Sequence, residues 1–359
     1  MRIVGLATLF VLTSAASLPA QRILLTLPAA RDATLYEDAS GQAANDAGQA
    51  VFLGDNSFGE ARRTLIAFDF SAVPRGARIV SAELQLTIAQ SAAGATGPLP
   101  VTVHRVLSPW GEGPTAAPGA GGSGAQAQAG DTTWTMADYP GTAWGTPGGD
   151  FVAAPSGSFQ MPTGGLFSMD HAPGMIGDVQ YWVANLLPNN GWILRTPELG
   201  VQDARRLHSR ESTLIGVQPT LTIGYVLPGT SWARGAGCVG SNGQNLVQNL
   251  IGSPTLGTVA TLRVQGGVQF QPIHLLLAGS LNTLSPPVLT GCHYELDLLS
   301  PVFFPARMLD GNGATDYVFP IPPDPNLFGI SLSFQSLVLD PFLAPYFLTL
   351  SNGVMVVLG

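Results

Sequence analysis

The sequence predicts an all-β protein made of two antiparallel β-sandwich domains, with one short helix in the first. Composition is the first reason. Hydrophobic residues make up 45% of the 359 residues and charged residues only 11%, with 44 Gly and 29 Pro. Many strands separated by Gly/Pro turns give this balance, whereas helix-rich chains carry more Glu, Lys and Arg on their solvent faces. Period-two patterning is the second. In 79–89, Val80, Ala82, Leu84, Leu86 and Ile88 alternate with Ser81, Glu83, Gln85 and Thr87, as in a half-buried strand. Length is the third, because a chain of this size divides naturally into two domains.

The N-terminus reads as a secretory signal. Met1-Arg2 is followed by an apolar run from Ile3 to Leu12 and a small-residue exit ending at Ala20. That run is too short for a membrane span, which needs about 20 residues. Cleavage after Ala20 is expected, leaving a secreted or cell-surface protein without a transmembrane segment. All 15 basic residues are Arg, and the mature chain loses Arg2, so its net charge is 14 − 23 = −9. Such a chain lacks the basic face that a nucleic-acid partner requires.

The first domain is expected over 21–227. Besides 79–89, strands are expected at 64–70, 101–107, 191–195 and 219–226. Ile176, Val179, Val183, Leu186 and Leu187 stand at helical spacing, and Pro188-Asn189-Asn190-Gly191 ends the helix. Residues 114–130 are almost wholly Gly, Ala, Pro, Ser and Gln, and they read as a mobile loop. The second domain is expected over 228–359. Its strands are expected at 259–264, 273–278, 294–298, 317–321 and 330–339, followed by a terminal hairpin turned at Ser351-Asn352-Gly353. Cys238 and Cys292 form an even pair in an exported chain, so a disulfide is expected between them.

Residues 31–225 carry a series of blocks in fixed order. They include Asp32-Ala33-Thr34-Leu35-Tyr36-Glu37, Arg62-Arg63-Thr64-Leu65-Ile66-Ala67-Phe68-Asp69 and Trp110-Gly111-Glu112-Gly113. Further along come Gly130-Asp131-Thr132-Thr133-Trp134, Asp178-Val179-Gln180-Tyr181-Trp182 and Arg205-Arg206-Leu207-His208-Ser209-Arg210-Glu211-Ser212. In these blocks the segment resembles the DNRLRE-type domain, which overlaps carbohydrate-binding module family 96. The resemblance implies a jelly-roll sandwich in a secreted or surface protein, with alginate binding ascribed to members. No catalytic domain is expected within these 359 residues, so the enzyme-targeting role that the resemblance implies is not the leading expectation. The second domain is similar to a C-terminal module of exported bacterial proteins with an early and a later Gly-Cys, here Gly237-Cys238 and Gly291-Cys292.

Catalysis is not expected. His104, His171, His208, His274 and His293 share no metal-ligand spacing, and no Ser stands in a nucleophile elbow. No cofactor is expected either. Asp310-Gly311-Asn312-Gly313 looks like part of a calcium loop but lacks the acid at the loop's twelfth position, so it reads as a tight turn. Asp131 and Asp150 are the remaining residues that could hold a calcium ion.

Two groups of residues are candidates for glycan binding. Arg62, Arg63, Arg205, Arg206 and Arg210 could grip sugar carboxylates through paired hydrogen bonds. Glu60, Asp203 and Glu211 stand close in sequence, however, and internal salt bridges to them are the preferred reading of these arginines. Trp110, Trp134, Tyr139 and Trp144 could stack on sugar rings, or pin Gly/Pro-rich loops onto the sandwich. The leading expectation is a secreted, non-catalytic carbohydrate-binding or surface-matrix protein, with an acidic polysaccharide as candidate ligand. The alternative is a structural or adhesive exported protein that recognises other proteins.

Overall fold

The computed structural model describes residues 22–282, 287–289, 292–297, 301–345 and 347–359. The expected signal segment, Gly291 and Leu298 lie outside the described residues. Strands dominate, all pairings between them are antiparallel, and Pro173–Val183 is the one α-helix among the described residues. The chain divides into two compact units, Arg22–Pro228 and Gly229–Gly359.

In the Arg22–Pro228 unit, the first strand, Ile23–Tyr36, serves two sheets. Its start pairs with Thr220–Val226, and after an irregularity between Ala29 and Arg31 the remainder pairs with Ala61–Phe68. Pro28 sits where the ladder breaks, and a proline is tolerated there because it has no amide hydrogen to donate. Ala50–Asp55 bridges the sheets again, pairing first with Arg205–His208 and then with Ala61–Phe68. One sheet is organised around the long strand Arg78–Ser91, which pairs with Thr220–Val226, Gly165–Met169 and Arg205–His208. The other runs from Ala61–Phe68 through Trp192–Arg195 and Leu99–Arg105 to Gly157–Met161. Leu84, Leu86, Leu207 and Ile223 from one sheet share a core with Ile66, Phe68, Val103 and Trp192 from the other.

The helix begins and ends a few residues earlier than its apolar spacing suggests. Pro173 occupies its first turn, where the missing amide hydrogen costs nothing. Trp182 packs in the core against Phe70 and Trp192, with ring centroids 5.8 and 4.9 Å away. Asp178 anchors the helix by accepting from Trp192 Nε1 at 2.9 Å and pairing with Arg105 at 3.1 Å.

The segment 114–130 differs from the mobile loop expected. Ala125–Gln126 pairs with Ala43–Ala44, and Tyr36 Oη donates to the Gly121 carbonyl at 2.9 Å. Asn45 accepts from Ala117 N at 2.7 Å. The small side chains that suggested mobility let this backbone lie close enough to the sandwich for buried polar groups to hold it.

In the Gly229–Gly359 unit, Thr230–Arg234, Gly353–Val357, Ser331–Leu339 and Pro272–Ala278 form the larger sheet. Val247–Ile251, Val259–Gln265 and Thr315–Pro320 form a three-stranded sheet. Leu262, Val264 and Tyr317 share a core with Ile273, Phe334, Val354 and Val356. The strand expected over 294–298 is replaced by the short pair Pro287–Leu289 and Cys292–His293, with Leu296 bridging only to Leu281.

The terminal hairpin is absent among the described residues. Leu348–Leu350 and Gly353–Val357 both pair with Ser331–Leu339, in one continuous antiparallel direction. Asn352 is therefore a bulge residue rather than a turn tip. Its buried amide replaces a ladder step, accepting from Gln248 N at 2.7 Å and donating to Gln248 O at 3.0 Å. The Cys238–Cys292 disulfide is formed, with Cα atoms 5.0 Å apart, and Leu350 packs beside it.

Candidate functional site

Most of the candidate arginines are directed inward. Ala61–Phe68 is buried along its whole length, so both Arg62 and Arg63 are largely covered. Arg62 lies over the Tyr36 ring and donates to the carbonyls of Glu37 at 2.7 Å and Ala61 at 2.9 Å. Arg63 grips Glu198 through two parallel bonds of 2.7 and 2.8 Å and donates to Gly148 O at 2.6 Å. Its guanidinium also sits 4.6 Å from the Trp134 ring centroid. Gly148 has φ +88°, and a Cβ there would come within 2.3 Å of Arg63 Nη1, so only glycine allows this close approach.

Arg205 is 1% exposed and donates to the carbonyls of Pro162, Asp203 and Gly97. Leu53 pairs with Arg205 and Gly54 with Arg62, so one strand joins the two arginine blocks. Their guanidiniums nevertheless end in separate internal pockets. Arg206 is half-buried, and its Nε makes no hydrogen bond. Arg210 pairs with Glu211 at 3.0 Å and Glu112 at 3.5 Å. Of the two readings, internal pairing describes Arg62, Arg63 and Arg205, which are buried against backbone carbonyls and acids, while Arg206 is half-buried and Arg210 exposed beside Glu211, so the five do not form one cationic cluster.

The aromatics pin loops. Trp110 is buried, donates to Asn190 O at 2.7 Å and carries the Arg31 guanidinium 4.4 Å above its ring. Trp144 is buried and donates to Thr133 O at 2.9 Å. Trp134 and Tyr139 are half-buried. The two aspartates considered for calcium are occupied by the protein's own donors. Asp131 accepts from Thr115 N, Thr115 Oγ1 and Gln128 N. Asp150 accepts from Ser108 Oγ, Gly145 N and Thr146 N. Asp310 accepts from Asn312 N and Ala314 N, the pattern of a tight turn.

Arg63 does reach one open feature. A cleft of 680 Å³ is lined by Arg63, Leu107, Ser108, Thr146, Asp150 and Phe151 among others. The Asp150 carboxylate shapes its rim by holding residues 145 and 146. The charge of Arg63 is met at its back by Glu198, which Arg195 also contacts at 3.1 Å. Burial pushes the Glu198 carboxyl up, but the hydrogen bonds from Arg63 and Arg195 outweigh it and hold the group below the usual range.

A depressed native pKa stabilises the fold above the ordinary carboxylate range of about 4.3, and that contribution is lost as pH falls through the lowered value. Thermal melts between pH 5 and pH 3, followed by tryptophan fluorescence, are expected to fall more steeply for the wild type than for Glu198→Gln. Equal slopes would show that the pair contributes nothing to acid sensitivity.

A second constellation was not anticipated from the sequence. Asp32, Glu112 and Glu211 bring carboxylate oxygens within 4.8 Å of one another. Burial raises the Asp32 carboxyl well above its usual range, with the Glu211 charge adding to it, and burial also raises Glu112 and Glu211. Each of the three stands in a sequence block quoted above, but no spacing along the chain links them.

No family model matches the chain, and no curated protein matches it. What the fold and these constellations define is an all-β protein of two compact units. Among its described residues no helix is long and apolar enough to cross a membrane.

Proposed function

We propose that the chain is an exported, non-catalytic glycan-binding protein whose ligand lies in the Arg63 cleft. The observation that carries this reading is the cleft itself. It is large enough for a few sugar units, and it sets the hydroxyls of Ser108 and Thr146 beside apolar surface from Leu107, Pro147 and Phe151. The disulfide and the resemblance of residues 31–225 to a carbohydrate-binding module add support. The cleft chemistry favours a neutral, hydroxyl-rich polymer over a uronate polymer. The guanidiniums of Arg63 and Arg195 are balanced by Glu198 and the rim carboxylate of Asp150, so the cleft holds no net positive charge for an anionic sugar.

A glycan array spanning neutral and uronate-containing polysaccharides, followed by calorimetry on the best binder, tests this with the full mature chain. Thr146 is exposed at the edge of the cleft, so Thr146→Trp is expected to fill it with little cost to stability. A loss of affinity of about tenfold or more is expected, since about 1.4 kcal/mol of lost contact gives that factor. Unchanged affinity in this variant would move the site elsewhere.

The adhesive alternative draws on the Gly229–Gly359 unit. Two short strands, Val302–Phe303 and Arg307–Met308, add to the Pro272–Ala278 strand and leave Val302, Phe303 and Met308 exposed. A silent glycan array would favour that reading.

A further inference from the structure

We propose that Asp32, Glu112 and Glu211 form a binding site for one divalent cation, and that the oxygen-only donor set suits calcium. Three distant segments supply the ligands. Asp32 comes from the strand Ile23–Tyr36, Glu112 from the loop pinned by Trp110, and Glu211 from the turn after Arg205–His208. Their oxygens lie within 4.8 Å of one another, the span of oxygens sharing one ion at calcium–oxygen distances of about 2.3–2.6 Å.

The buried oxygens supply an independent sign. Asp32 is 0% exposed, and its Oδ2 accepts from Arg210 N at 2.7 Å, yet its Oδ1 has no hydrogen-bond partner. Glu211 Oε2 is also buried without a partner. Such oxygens are costly unless something cationic or a proton sits between them. The remaining oxygens are used in holding the cage. Glu112 Oε1 accepts from Asp32 N at 2.7 Å, and Arg210 Nε contacts Glu211 Oε1 at 3.0 Å.

Charge points the same way. Arg210 and Arg31 are the cations facing the three carboxylates, while Asp46 adds a further buried anion beside Glu112. Asp46 accepts from Thr132 N and Gly113 N, but its Oδ1 is likewise buried without a partner. Glu112 and Glu211 have side chains 13% and 22% exposed, so an ion can enter from their side. The proposal stands apart from the glycan reading, because neither Arg63 nor the cleft takes part.

The test is calorimetric titration of calcium chloride into the full mature chain after chelator treatment, without glycan, together with elemental analysis. One ion per chain is expected, with a dissociation constant on the order of 10⁻⁴ M, as for extracellular calcium modules. Glu112→Gln and Glu211→Gln keep the shape and remove one charge each. Both are expected to weaken binding tenfold or more, while their metal-free forms melt no lower than the metal-free wild type. A merely structural role for these acids would lower those melts, and that result would overturn the proposal. So would calcium binding unchanged in both variants, or no binding by the wild type, in which case the buried oxygens share a proton.

Discussion

Arg63→Ala is expected to destabilise the Arg22–Pro228 unit by about 3 kcal/mol. Truncating one partner of a buried pair costs about 3–5 kcal/mol, because the remaining charge stays desolvated. Here the lower end applies, since Arg195 still reaches Glu198 at 3.1 Å. The variant also strips Gly148 O of its donor and removes the cation from above Trp134. For a unit of this size the loss corresponds to a fall in melting temperature of about 6–12 °C. Arg63→Lys will not restore it, because an ammonium cannot make the two parallel bonds that Glu198 receives. Arg195→Ala, at a more exposed member of the trio, should cost about 1 kcal/mol or less. Five of the six Trp lie in this unit, so fluorescence melts report on it. A change of less than about 1 kcal/mol for Arg63→Ala would mean that the guanidinium is not the keystone of the loop around Gly148.

Removing the disulfide should cost the Gly229–Gly359 unit about 4 kcal/mol. The bridge closes a sequence separation of 54 residues, and loop-closure entropy for that length gives this figure. The unit has few ion pairs to compensate, Arg234–Glu295 and Arg263–Asp316 being those among its described residues. Calorimetry of the Cys238→Ala/Cys292→Ala variant is expected to show the transition of this unit roughly 10 °C or more lower, with the other transition unmoved. A common shift of both transitions would contradict a bridge that acts inside one unit.

Strands with one wet face were legible, because alternation in 79–89 encodes burial directly; the observed strand is Arg78–Ser91. Ile23–Tyr36 was not, because it changes sheets near Pro28 and its buried face changes with it. Asn352-Gly353 carried the strongest hairpin signal in the chain. The tertiary bonds between Asn352 and Gln248 made it a bulge instead, and no local window contains Gln248. The arginine blocks were recognisable as functional-looking chemistry, but their direction was not. Adjacent residues in a strand face opposite ways, so only a strand covered on both sides could bury Arg62 and Arg63 together. The Asp32, Glu112 and Glu211 constellation is invisible in sequence for a similar reason: strand crossing and loop pinning create it, not spacing.

The proposed function stands or falls with ligand occupying the cleft beside Arg63. Hydrogen exchange measured by mass spectrometry, with and without the best glycan from the array, addresses it most directly. The amides of Gly145 and Thr146 bond to the rim carboxylate Asp150, and Gly148 N donates to Trp134 O, so occupancy should steady this whole loop. Slowed exchange confined to residues 105–110 and 144–151 is expected. Protection centred in the Gly229–Gly359 unit, with those segments unchanged, would contradict it.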